Sequence, residues 1–174
     1  MSEGRNRPIS GGKAVVECLK AYNIKYVFGL IGSATMELFD ALYDEKSINF
    51  IDVRDERTGT HMADAYARAS GSPGVIIAGQ NGPGATNLVT GVAQAKAAFS
   101  PLLSIAGAIA TEHQGKDAFQ EVDQQKLFEP ITKKTFSIKD TKLISEDLNK
   151  ALKLSMQGKW GPCLLYTSPS PRDS

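Results

Sequence analysis

Short apolar runs spaced about 25 residues apart, each followed by a segment of helical composition, limit this chain to few folds. The runs are Tyr26-Val27-Phe28, Phe50-Ile51-Asp52-Val53, Val75-Ile76-Ile77-Ala78 and Pro101-Leu102-Leu103-Ser104-Ile105-Ala106. All are rich in branched or aromatic residues and bounded by turn formers, so they read as strands. Val75 to Ala78 carries no polar alternation, as expected of a strand covered on both faces. Strands alternating with helices and joined by right-handed crossovers predict an α/β fold. The expected form is a doubly wound, mostly parallel sheet with helices on both faces, a three-layer αβα arrangement.

The helices have their own signals. Ser10 is a suitable N-cap for a helix reaching Tyr22, with Val15, Cys18, Leu19 and Tyr22 on one face, so Cys18 reads as core. Gly32-Ser33 is expected to open a second helix carrying Met36, Phe39, Ala41 and Tyr43. The helix from about residue 58 to 70 is built of small residues, which suits either core packing or a subunit interface. Asp123 is expected to cap a short helix to Phe128. Residues 131–138 read as a strand and 144–156 as a last amphipathic helix.

A chain of 174 residues is one domain by size. Residues 1–9 are expected to be disordered and 10–163 to form the domain. The tail, Leu164-Leu165-Tyr166-Thr167-Ser168-Pro169-Ser170-Pro171-Arg172-Asp173-Ser174, resembles translated adapter sequence. Its two prolines and lack of apolar residues after Tyr166 predict a non-native tail and a truncated last strand.

Twenty basic residues against 19 acidic ones, with no basic block beyond Lys133-Lys134, argue against a nucleic-acid partner. No apolar run approaches the ~20 residues of a membrane span. The start, MSEGRNRPIS, lacks the apolar centre of a signal peptide. Cys18 and Cys163 lack metal-ligand spacing and read as free thiols of a reducing compartment. The expected location is the cytoplasm.

Glu56 stands where a strand ends and a helix begins, the end of an open α/β sheet at which ligands bind. It is read either as a carboxylate facing a ligand or as a first-turn Glu favoured by the helix dipole. Gly29 and Gly32 bracket a turn in which backbone can approach a ligand, or a plain strand-to-helix turn. Gly82-Pro83-Gly84 opens a helix and leaves its first N–H groups free. Neither a G-x-G-x-x-G pattern nor a Walker Lys-Ser/Thr accompanies them, which counts against a dinucleotide-binding domain. The loop from residue 107 to 122 is long enough to expect a function of it.

Four segments in order carry a resemblance: Val27-Phe28-Gly29-Leu30-Ile31-Gly32-Ser33-Ala34, then Asp55-Glu56 with His61-Met62-Ala63-Asp64-Ala65-Tyr66-Ala67-Arg68. Gln80-Asn81-Gly82-Pro83-Gly84-Ala85-Thr86-Asn87 and Asp117-Ala118-Phe119-Gln120-Glu121-Val122-Asp123 follow. Together they resemble the N-terminal, pyrimidine-binding domain of thiamine-diphosphate-dependent enzymes, in the branch of acetolactate synthase and sulfoacetaldehyde acetyltransferase. The resemblance implies that Glu56 is the catalytic carboxyl, sharing a proton with the pyrimidine N1′ of the cofactor; a carboxyl set among apolar groups is suited to this. It further implies that Ile31, Gln80, Gly82, Pro83, Gly84 and Asn87 lie at the cofactor and that Phe119 and Gln120 face the substrate.

The implied substrates are 2-oxoacids or sulfoacetaldehyde. Ile31-Gly32-Ser33-Ala34 and Gln80-Asn81-Gly82-Pro83-Gly84 lean to sulfoacetaldehyde acetyltransferase, whereas residues 85–91 and 61–64 look more like acetolactate synthase. Mg²⁺ is implied with the cofactor, but the family's Gly-Asp-Gly metal segment does not occur here, so its ligands are expected in a C-terminal domain. FAD is implied only for acetolactate synthase. A homodimer or tetramer formed through this domain is implied as well. A non-catalytic module of the same fold is the competing reading, and a carboxylate at position 56 favours the enzyme.

Overall fold

The structure is a computed structural model that describes residues 9–109, 113 and 115–167. Helix α1 (Gly11–Ala21) begins at the Ser10 cap, whose hydroxyl accepts from the Lys13 N–H, and leads to strand β1 (Tyr26–Gly29). A 3-10 turn at Ser33–Thr35 precedes α2 (Met36–Asp44), followed by β2 (Asn49–Asp52) and α3 (Glu56–Ser70). Next come β3 (Gly74–Ile77), α4 (Gly82–Ala97) and β4 (Leu102–Gly107). Beyond the long loop lie α5 (Gln124–Phe128), β5 (Lys134–Ile138), α6 (Ile144–Met156) and β6 (Cys163–Thr167).

The six strands form one sheet in the order β2-β1-β3-β4-β6-β5, and every pair is parallel. Alternate residues of each strand feed opposite faces, as the pleat requires. Val27, Val75, Ile77, Leu103, Ile105 and Leu165 pack with α1, α2 and α6. Phe28, Ile76, Ala78, Leu102, Ala106 and Leu164 pack with α3, α4 and α5. The three-layer αβα expectation holds, with the sheet wholly rather than mostly parallel. After β1 the chain goes to one side for β2 and to the other for β3, so the switch point lies between β1 and β3. Ligands of such sheets sit at the carboxyl ends beside that point.

The small residues of α3 serve the core. Gly59, Thr60, Ala63 and Ala67 are buried, and a Cβ on Gly91 of α4 would fall 2.6 Å from the Thr60 side chain. The two helices can approach this closely only with a glycine there. The helix also begins earlier than expected. Asp55 is its N-cap, accepting from the Arg57 N–H at 2.8 Å, and Glu56 is its first residue. The second helix starts at Met36 rather than at Gly32-Ser33, and it buries Leu38, Phe39 and Leu42 while Met36 and Tyr43 stay exposed.

The expected truncation of the last strand is corrected. Cys163–Thr167 form β6, which lies between β4 and β5 and pairs with both along its whole length. Cys163, Leu164 and Leu165 are fully buried. The prolines do not oppose this strand, because Pro169 and Pro171 come after its last rung at Thr167 and so remove no ladder N–H. The domain therefore runs past residue 163, and residues 164–167 are part of its core. Of the segments expected to be disordered (1–9) and non-native (164–174), residues 1–8 and 168–174 lie outside the described residues.

Both cysteines are free and buried. Burial pushes the Cys163 thiol up to about 11, the opposite of what a reactive thiol needs. Ellman's reagent at neutral pH should modify neither thiol in the folded chain and both after denaturation. Rapid labelling of Cys163 without denaturant would contradict its place in the sheet. No described helix is long and apolar enough to cross a membrane.

Candidate functional site

Three chain segments meet at the carboxyl ends of β1, β2 and β3. The turns after β1 and β3 are pressed together by paired glycines. A Cβ on Gly32 would fall 2.0 Å from the Gly79 carbonyl oxygen, and one on Gly79 would fall 2.4 Å from that of Leu30. No side chain can be admitted at either position without moving backbone. Thr35 ties the same turns by donating to the Ala78 carbonyl at 3.0 Å.

Glu56 lies over this junction and is 3 % exposed. Its carboxylate accepts from the Gly79 N–H at 3.3 Å and from Asn87 Nδ2 at 3.0 Å. Both donors are neutral amides, and no salt bridge engages Glu56 among the described residues. A Cβ on Gly84 would sit 2.9 Å from Glu56 Oε1, so this glycine keeps the approach to the carboxylate clear. Among the described residues this carboxylate thus meets two neutral donors and no fixed cation, with its approach left clear by Gly84. The residues present therefore fit the pyrimidine end of thiamine diphosphate.

The expected site residues sort into two groups. Glu56, Gly84 and Asn87 are gathered directly around the carboxylate, and Gln80, Gly82 and Gln120 sit beside them. Gly82 and Gly84 are buried, whereas Pro83 is exposed at the first turn of α4. Ile31 and Phe119 are 55 % and 83 % exposed, and neither side chain is packed into the junction. Gln80, expected at the cofactor, reaches Gln120: Gln80 Nε2 donates to Gln120 Oε1 at 3.0 Å. Sequence reasoning passed over Ser33 and Asn81. Ser33 Oγ donates to Gln80 Oε1 at 2.8 Å, and Asn81 Nδ2 donates to the carbonyls of Phe119 and Gln120, each at 3.2 Å. A polar residue next to a Gly-Pro-Gly turn is the signal that could have singled out Asn81.

The loop carrying Phe119 and Gln120 is folded around Glu121, whose carboxylate accepts from the Gly115 and Ala118 N–H groups. Those two bonds, Gly115 first, hold its pKa below the ordinary carboxylate value of 4.5. A carboxyl depressed in the folded state stabilises the fold above its unfolded pKa, and the contribution disappears as pH falls through the folded value. Protection of the Gly115 and Ala118 amides, taken relative to their intrinsic exchange rates, should therefore be constant above about pH 5 and fall on acidification. Glu121→Gln should abolish that extra acid sensitivity. A cavity of about 680 Å³ is lined by Gln120, Glu121, Gln124, Ser137 and Tyr166 among others, and Glu56 is not among its lining residues. Among the described residues no three His, Cys, Asp or Glu side chains group as a metal site.

The sequence pattern of the family described as "Thiamine pyrophosphate enzyme, N-terminal TPP binding domain" matches residues 9–127. The chain is 42 % identical over 154 residues to a probable acetolactate synthase large subunit of Methanocaldococcus jannaschii, covering 88 % of this chain and 26 % of that protein. It is 40 % identical over 157 residues to the acetolactate synthase isozyme 3 large subunit of Escherichia coli, covering 90 % and 27 %. Against 2-hydroxyacyl-CoA lyase 2 of Danio rerio it is 40 % identical over 161 residues, covering 92 % and 26 %. The chain thus spans about a quarter of the length of these relatives.

Proposed function

Because the chain belongs to the thiamine pyrophosphate enzyme family through its N-terminal TPP-binding domain, we propose that it is the pyrimidine-binding part of an acetolactate-synthase-type carboligase acting on 2-oxoacids. The observation that carries this reading is Glu56, buried at the switch point with only neutral donors on its carboxylate. The names of the relatives favour acetolactate synthase over sulfoacetaldehyde acetyltransferase, the reading to which Ile31–Ala34 and Gln80–Gly84 had leaned. That second reading now rests on those two turns alone.

Thiamine diphosphate, when bound, supplies a reactive carbon together with the amino group that takes its proton. Glu56 would hold and return a proton at the pyrimidine N1′, and so set which form of that amino group is present. Asn87 and the Gly79 N–H aim the carboxylate, while Gly84 leaves room for the ring to reach it. Gly82 keeps the Phe119–Gln120 loop close against the turn, since a Cβ there would lie 2.0 Å from the Gln120 carbonyl oxygen. Mg²⁺ and the diphosphate would be held by a further domain, FAD would belong to the same acetolactate synthase reading, and the assembly would be at least a homodimer. Exposed Met62 on α3 and Phe119 on the loop support a partner surface near the site.

The whole polypeptide that carries this domain, given pyruvate, thiamine diphosphate and Mg²⁺, is expected to form acetolactate. Turnover of sulfoacetaldehyde instead would move the assignment to the second reading, and inactivity on both would overturn it. Residues 1–174 alone should bind thiamine diphosphate too weakly to saturate at millimolar concentration. Calorimetry showing Mg²⁺-dependent micromolar binding to this chain would show that it holds the diphosphate itself.

A further inference from the structure

The substrate side of the junction is organised by a chain of polar groups that the cofactor chemistry does not require. Gln120 has φ 60°, a left-handed conformation that a residue with a side chain keeps only where its surroundings hold it. Asn81, 7 % exposed, does the holding: its NH2 has two hydrogens and serves the carbonyls of both Phe119 and Gln120. The Gln120 side chain is fixed separately. Ser33 occupies the carbonyl end of the Gln80 amide, which leaves the Gln80 NH2 to donate to Gln120 Oε1. An amide has one acceptor end and one donor end, so the orientation of Gln80 seen here sets which end of Gln120 it meets. With its oxygen taken, the Gln120 NH2 has no partner among the described residues and is left for a ligand.

We propose that Gln80 and Asn81 are positioning residues that set the polarity of the substrate side. Asn81 places the Gln120 backbone, and Gln80, bonded to Ser33, turns the Gln120 NH2 toward a substrate oxygen such as the carboxylate or carbonyl of a 2-oxoacid. The inference rests on the function proposed above for the same site. Gln80 acts through Gln120, so removing it should matter only while Gln120 is present.

A double-mutant cycle in the whole enzyme, with pyruvate as the probe, reads this directly. Gln80→Leu and Gln120→Leu should each raise KM for pyruvate about tenfold, the cost of one lost hydrogen bond, with a larger effect on KM than on kcat. The double variant should be no worse than the poorer single one. An unchanged KM in Gln80→Leu, or multiplied effects in the double variant, would overturn the proposal. A second readout does not depend on activity. In the 174-residue chain, Asn81→Ala and Gln80→Leu should speed amide exchange at Ala118 and Glu121 at least tenfold while the β3 and β4 amides stay protected. Unchanged exchange in both variants would overturn the positioning role even if the enzyme assignment stood. If the wild-type enzyme fails on pyruvate yet the exchange result holds, the assignment of the reaction is what falls.

Discussion

Replacing Glu56 with Gln in the full-length enzyme should slow deuterium exchange at the reactive carbon of bound thiamine diphosphate by about 10²–10⁴-fold, the usual range for a positioned acid–base group. The substitution keeps the shape of the side chain and removes only its ability to share the N1′ proton. The Gly79 N–H can still donate to the Gln oxygen. Asn87, whose Nδ2 now donates to Oε2, can rotate its amide to offer an acceptor to the new NH2. The fold should therefore be kept, with a melting midpoint close to that of the parent. Because the loss lies in activating the cofactor, it should appear with any substrate and should not be relieved by raising pyruvate. Exchange in the variant as fast as in the parent would remove Glu56 from the role assigned to it, whatever became of turnover.

The second large effect concerns stability and lies at the other end of the chain. Leu164 and Leu165 are fully buried in β6 and face opposite sides of the sheet, Leu164 toward α4 and α5 and Leu165 toward α6. Truncating a buried Leu to Ala typically costs about 2–5 kcal/mol. Leu164→Ala or Leu165→Ala alone should therefore lose about that much, a large share of the roughly 5–15 kcal/mol that holds an ordinary domain together. Ending the chain at Pro162 should be worse. It removes the partner of β4 and of β5 at once and opens two rows of backbone groups inside the sheet. Such a chain should show no cooperative unfolding transition. A truncation after Pro162 that melts as the parent does would mean that β6 is not part of the sheet.

That expectation reverses the one drawn from sequence, and the reason is instructive. Cys163-Leu164-Leu165-Tyr166 is a four-residue apolar run of the same kind as Val75 to Ala78. Its local pattern was legible in the sequence, and Pro169 and Pro171 come after its last described rung at Thr167. Position in the sheet was not legible at all. A strand that is last in sequence lies in the interior because the chain crosses β4 to β5 and then returns to fill the gap. Which neighbours a strand takes depends on how helices pack across the faces, and no local signal encodes it.

Local chemistry alone determined a good deal. The apolar runs and helical patterns, with Ser10 and Asp123 as caps, predicted the αβα layers and the limits of α1, α5 and α6 within a residue or two. The break after Phe50-Ile51 placed Glu56 at a strand's carboxyl end, and the glycines around it marked the turns that must come close. Tertiary structure alone decided what those turns approach. Asn87 lies 31 positions from Glu56 in the chain, and Gln120 lies 40 from Gln80, yet each pair is joined by a hydrogen bond at 3.0 Å. Ser33 and Asn81 read as ordinary turn residues until the loop around Glu121 is brought over the Gly-Pro-Gly turn. The carboxylate, the turn and the caps follow from propensities acting over a few residues. The amide chain that orients Gln120 depends on crossovers that bring three loops to one end of the sheet, and only the packed chain fixes those.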